Sequence, residues 1–234
     1  MQLSQLENKA YEKIKKTGMV LFSVTDISLL LNINKTKTYN LVKALKKKKA
    51  IKSIGKRKFS LYETNEFEIA SELNFPSYIS FWSALNYYNF SDNNPKKIFI
   101  ATTKYSREIY PFKYITLSKK RFFGYVSIGK ITIAEKEKAI IDCILFPKYS
   151  GGIREIKKAM AVSVKLINKK KLIDYALKLN SKAVIRRLGF LLENLGFGNL
   201  GNLKRKIGEG YELLDPTLEG KNNLNKKWLL DVNI

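Results

Sequence analysis

The side chains with most chemistry to offer lie in one stretch. From Lys35 to Lys58 the chain carries 11 basic residues and no acidic one. Solvated helix faces ordinarily mix the two signs, so a segment this one-sided points to a polyanionic partner. Other chemistries are thinly supplied. With 0 histidines and 1 cysteine, Ser-His-Asp hydrolysis, Cys-His proteolysis, His-ligated zinc, an internal disulfide framework and a Cys-cluster metal site are excluded. The only dense carboxylates are Glu135, Glu137 and Asp142, which a metal-dependent nuclease would use to hold Mg²⁺. Glu135 and Glu137 are two apart and diverge on a helix, and both stand beside a lysine. An acidic first turn favoured by the helix dipole is the simpler account. The glycine pair Gly151-Gly152 lacks the spacing of a phosphate-cradling loop. No catalytic, metal or cofactor-binding residue is assigned, and a non-enzymatic protein is expected.

The whole chain has 234 residues, with Lys+Arg 44 against Asp+Glu 20 and a formal net charge of +24. An AT-rich gene would produce such an excess by drift, but drift spreads lysine evenly and binding clusters it. Residues 1–75 hold 15 basic and 7 acidic residues, whereas 76–234 hold 29 and 13, scattered along the sequence. Apolar residues make up 45%, enough for a buried core. The charged N-terminus is unlike a signal peptide, and no apolar run would span a membrane, so a cytoplasmic protein is expected.

The basic cluster sits on a recognisable order of elements. Gln2–Lys16 reads as an amphipathic helix stopped by Gly18. Thr25 is placed to cap a short helix through Leu31, with Asp26 in its first turn. Asn32-Ile33-Asn34 makes a tight turn, and Asn34 caps a third helix from Lys35 to about Lys48. Thr38, Leu41, Val42 and Leu45 share the face that packs on Ile27, Leu30, Leu31 and Ile33. A strand Ala50–Ile54, a basic turn Gly55–Lys58 and a strand Phe59–Tyr62 follow. Two helices joined by a turn, then a basic hairpin, predict a winged helix-turn-helix.

Its chemistry follows from groove geometry. A helix fits the major groove, where base edges carry a readable donor–acceptor pattern. Asn34, Thr36 and Asn40 are short polar side chains suited to base edges, as is Thr38 if it is not buried. Lys35, Lys37 and Lys43 are placed for phosphate or guanine, with Tyr39 on the same exposed face. Lys56, Arg57 and Lys58 at the hairpin tip lie along the backbone or enter a minor groove. Lys46–Lys49 read as peripheral and solvated. A winged helix used only for protein contacts is the alternative.

The remaining chain is read more coarsely. Glu63–Asn74 links the two parts. Ser77–Tyr88 reads as an aromatic helix, and its stripe is better explained as core than as a base-stacking platform; an RNA-binding role for Tyr78–Phe90 is the weaker reading. Lys97–Thr102 is a strand. Tyr114–Leu117 and Phe122–Ile128 are strands joined by a basic hairpin turn at Lys119–Arg121, and Ile131–Ile133 leads into a helix Ala134–Leu145. Cys143 is an inert core thiol. Helices are expected at Ile153–Ala161, Lys169–Leu179 and Ala183–Leu195, the last carrying Arg186 and Arg187 as surface charge, with a second phosphate contact as the less favoured reading. Tyr211–Leu214 and Trp228–Val232 close as strands.

The order of segments PSYISFWSALNYY, KKIFIATTK, RFFGY, ITIAEKEKAIIDCILFP, RRLGFLLENLG and DPTLEGKNNLNKKWLLDVNI resembles the AbiEi family of antitoxin-type transcriptional regulators. The likeness spans nearly the whole chain, most specifically 75–160 and 183–234. It implies an α+β protein, an N-terminal winged helix-turn-helix domain over 1–75 followed by a mixed α/β C-terminal domain over 76–234. It further implies a repressor that binds inverted repeats in its own promoter. Such a repressor counteracts a nucleotidyltransferase-like toxin without a stable complex, in phage defence. Half-sites one helical turn apart would take two protomers per operator. The Lys/Asn-rich third helix departs from the family, so no operator sequence carries over. A regulator without a toxin partner, and a nuclease targeted by the winged helix, are the alternatives.

Overall fold

The computed structural model describes residues 2–234 and divides into two compact units, Met1–Phe75 and Pro76–Ile234. Among the described residues the fold is mixed α/β, with helices and three separate sheets.

In the first unit, helix α1 (Gln5–Thr17) starts three residues later than its apolar spacing predicts. The reason is a capping box: Ser4 accepts from the Glu7 amide while the Glu7 carboxylate accepts from the Ser4 amide at 2.6 Å. Gly18, at φ +66°, ends the helix in the left-handed conformation that glycine adopts without strain. Helix α2 (Val24–Leu31) is capped by Ser23, not Thr25, because Ser23 and Asp26 form a second reciprocal box. Asn32, left-handed at φ +53°, turns the chain into helix α3 (Lys35–Lys47). Strands β1 (Ile51–Ser53) and β2 (Phe59–Leu61) pair antiparallel in the register Ile51↔Leu61 and Ser53↔Phe59. Phe22 adds a bridge to Phe59 on the far side of β2. Ala10, Ile14, Phe22, Ile27, Leu41, Leu45 and Phe59 meet in one core. Helix α4 (Glu66–Leu73), capped by Asn65, completes the unit.

The second unit opens with strand β3 (Ser77–Ile79) and helix α5 (Phe81–Tyr87), where the periodicity predicts one helix over Ser77–Tyr88. The switch is made at Phe81, whose φ of +54° is a left-handed turn that an aromatic residue adopts only when packing enforces it. Strands β4 (Ile98–Thr102), β5 (Arg107–Ile109), β6 (Phe112–Thr116), β7 (Tyr125–Ile128) and β8 (Ile131–Ala134) join β3 in one sheet of order β5-β6-β4-β3-β8-β7. Lys119–Arg121 is therefore not a hairpin turn. It is a 3₁₀ turn on a connection between β6 and β7, which lie near opposite ends of the sheet. The true hairpins are β5–β6 and β7–β8.

Helix α6 (Lys136–Leu145) is central, packing on α5, α7 (Ile153–Ser163), α8 (Lys169–Leu179) and α9 (Lys182–Asn194). The short helix α10 (Gly201–Lys204) follows α9, and β9 (Glu212–Leu213), β10 (Leu224–Asn225) and β11 (Leu230–Asp231) form a three-stranded sheet. Gly189 in α9 is required by packing: a Cβ there would sit 2.1 Å from the buried Trp228 ring. Among the described residues no helix is long and apolar enough to cross a membrane.

Candidate nucleic-acid interface

Helix α3 holds its buried and exposed faces apart cleanly. Thr38, Leu41, Val42 and Leu45 are buried; Lys35, Thr36, Lys37, Tyr39, Asn40 and Lys43 are exposed. Thr38 is fully buried and donates its hydroxyl to the Asn34 carbonyl at 2.9 Å, which removes it from the base-reading set. Asn34 is exposed, but its Oδ1 accepts the Lys37 amide hydrogen at 2.9 Å. Its acceptor is thus committed to capping the helix. Lys46 and Lys47 are exposed one turn beyond Lys43 on the same arc, as solvated residues at the end of the helix should be. Lys48 is not simply solvated: it pairs with Glu7 at 2.6 Å and ties α3 to α1.

The hairpin is closed by Ile54 N donating to Lys58 O at 2.8 Å, and Lys56, Arg57 and Lys58 are exposed at its tip. Arg57 takes φ +61° and Gly55 φ +62°, both left-handed positions of a tight turn. Lys52, half-buried on β1, donates to the Thr64 carbonyl at 3.2 Å and is used within the unit. Among the described residues, none of Lys35, Lys37, Lys43, Lys56, Arg57 and Lys58 takes part in an ion pair. Exposed cations on a helix and at a turn of one compact unit, with no carboxylate paired to them, raise the local anion concentration.

The other chemistry-bearing residues have been put to structural use. Glu135 pairs with Lys171 at 2.9 Å and accepts the Tyr175 hydroxyl; those hydrogen bonds hold its carboxyl below the usual range despite the opposing effect of burial. Glu137 accepts the Asn168 amide at 2.7 Å. Asp142 is fully buried against Lys138 and accepts from Tyr78 at 3.0 Å and Ser80 at 2.8 Å. The three carboxylates do not converge, and among the described residues no group of three or more His, Cys, Asp or Glu is placed to hold a metal. Cys143 is buried, and desolvation pushes its thiol up.

Arg186 and Arg187 are not surface charges: both are buried. Arg186 donates to the Ile207 and Glu209 carbonyls at 2.9 and 2.6 Å, and Arg187 to those of Leu213 and Ile144. Within Tyr78–Phe90 the aromatic rings are buried or half-buried, so they form core rather than an open stacking platform. At the start of α7, beyond Gly152, the Asp215 carboxylate already accepts the Ile153 amide at 2.7 Å and occupies the position an anion would take.

No protein-family model and no curated protein matches the chain. Among solved structures, the crystal structure of the Rv2827c protein from Mycobacterium tuberculosis is similar in fold, with a TM-score of 0.68. The superposition covers 98% of this chain and 92% of that one at 10% sequence identity. At that identity the likeness concerns the fold alone.

Proposed function

We propose that the first unit is a winged helix-turn-helix that docks α3 in the major groove of duplex DNA, with the Gly55–Lys58 turn as its wing. The observation that carries this reading is the uncompensated cationic surface formed by α3 and the hairpin, on which Lys35, Lys37, Lys43, Lys56, Arg57 and Lys58 are all exposed. Helix α3 is long enough, at 13 residues, to lie along a groove, and its polar Asn40 is free to meet an adenine edge. Together with the resemblance to AbiEi-type antitoxins, this supports the reading of the protein as a repressor of its own operon. It binds promoter inverted repeats as two protomers and opposes a nucleotidyltransferase-like toxin without a stable complex.

A footprint on the DNA upstream of its own gene tests the reading, and protection of paired half-sites is the expected result. Binding should fall steeply with salt, log K against log [salt] sloping about −0.9 per phosphate neutralised. Replacing Lys35, Lys37 and Arg57 together with alanine should flatten that slope by up to about 2.7. An unchanged slope places the interface elsewhere. Asn40→Ala should change sequence preference more than general affinity, because base contacts specify and phosphate contacts position.

A further inference from the structure

Among the described residues, the six-stranded sheet of the second unit ends on a strand whose outer edge has no strand partner. Among the described residues strand β7 pairs with β8 alone, and all four of its residues are exposed. The phase of that pairing is fixed by Glu135 N, which donates to Gly124 O at 2.9 Å, one step beyond the Tyr125↔Ala134 pair. Hydrogen-bonded and non-hydrogen-bonded pairs alternate along an antiparallel ladder. Val126 and Ile128 therefore spend their backbone groups on β8, whereas the N–H and C=O of Tyr125 and Ser127 point off the edge. The Tyr125 ring stacks on Tyr78 at 5.0 Å between centroids, and Val126 and Ile128 stand 36% and 46% exposed on the opposite face. Proteins usually blunt such an edge with a proline, a charge or a covering loop, and none lies within this strand.

Charge decides what fits the edge. Lys119, Lys120 and Arg121 form the turn that leads into β7, and Lys178 stands 4.4 Å from the centroid of the Phe123 ring beside it. Two copies of β7 paired antiparallel would bring residues 119–121 of one toward Lys130 of the other. Paired parallel, they would face like with like. Either way, like charges meet and oppose self-association. A strand with carboxylates flanking an apolar centre meets the opposite field. We propose that the free edge of β7 is a docking strand for an extended, acid-flanked segment of another protein, which adds to the sheet as a seventh strand.

Addition of a strand draws affinity from main-chain hydrogen bonds and specificity from flanking side chains. So short an edge makes a small interface of the weak, transient class. The probe is a fluorescein-labelled peptide of alternating valine and threonine with glutamates at both ends, titrated into the full-length protein and followed by anisotropy. Saturable binding is expected, together with slowed amide exchange at Tyr125 and Ser127. Ser127→Pro removes an outward N–H without touching the β8 ladder, a position where edge strands accept proline. It should weaken binding about tenfold or more, the loss of roughly one main-chain hydrogen bond and its approach geometry. A peptide of equal charge with prolines in place of the threonines should fail to bind.

Circular dichroism reports whether Ser127→Pro folds; if it does not, amide exchange of the wild-type protein decides. The proposal is overturned if the proline variant binds as the wild type does, or if the proline peptide binds equally well. It is overturned too if the Tyr125 and Ser127 amides exchange unchanged at saturation, which would mean attraction to the general cationic surface. Absence of any binding would show that the flanking cations only guard the edge.

Discussion

Asn34 holds Lys37 by its backbone: the Asn34 Oδ1 accepts the Lys37 amide hydrogen at 2.9 Å. The same residue's carbonyl takes the Thr38 amide at 3.0 Å and the Thr38 hydroxyl at 2.9 Å. One asparagine therefore sets the first turn of the helix that carries the cations, and its side-chain acceptor is not free for a base.

This relationship separates folding from binding at a single position. Asn34→Ala should destabilise the first unit by about 1 kcal/mol through loss of the cap. Asn34→Asp keeps the cap and favours the helix dipole, so stability should stay near wild type. On the proposed DNA-facing surface, however, the added carboxylate repels phosphate, and affinity for duplex DNA should fall about tenfold. Thermal melts and filter binding on both variants check this. An aspartate variant that binds DNA normally would show that the start of α3 faces away from the backbone.

The elements that were legible in the sequence are those whose signals are local. Helix α3 follows from its apolar spacing and Asn34, and the β1–β2 hairpin from the Gly55 turn between short apolar strands. The choice of Ser23 over Thr25 was not legible by type, since both residues cap well; it depends on which one can share a box with Asp26. The strand and helix over Ser77–Tyr87 carry a single helical pattern because aromatic residues serve both structures, and the break at Phe81 is imposed by tertiary packing. The burial of Arg186 and Arg187 is hidden from local pattern for a related reason. Adjacent arginines on a helix look solvated until the chain brings carbonyls from residues 207–213 and 144 to satisfy them. Where α3 and its hairpin were concerned, what local pattern left out was pairing, as with Lys48 and Glu7.

That pair makes the first unit sensitive to acid. The hydrogen-bonded Lys48 ammonium, with the Ser4 amide, holds the Glu7 carboxyl below its ordinary 4.5. A depressed folded-state value adds stability above the unfolded value, and that contribution is lost as pH falls through the folded one. Native-state exchange of the Ile14 amide, which lies on α1, should therefore accelerate as the pH drops below about 4.5, beyond the intrinsic pH dependence of exchange. Lys48→Met should already exchange faster at neutral pH and show less of this acid-dependent gain. Parallel profiles for the two proteins would mean that the contact adds nothing to the stability of α1.

Lys138 and Asp142 present the opposite case, an ion pair with both side chains fully buried. Lys138 also donates to the Tyr78 hydroxyl at 2.9 Å, and Tyr78 and Ser80 complete the shell around the Asp142 carboxylate. Burial pushes the Tyr78 phenol well up, so it stays a donor across the accessible pH range. Asp142→Ala leaves an ammonium buried without its counter-charge, which should cost about 3–5 kcal/mol. Replacing the pair with Lys138→Met and Asp142→Leu removes both charges and should recover most of that loss, since apolar replacements of buried pairs are often neutral. Both tryptophans, Trp82 and Trp228, lie in this unit, so urea denaturation followed by their fluorescence reports its stability directly. A double variant no more stable than Asp142→Ala would mean that the polar network around Tyr78 and Ser80, rather than charge balance, is what joins α6 to the sheet.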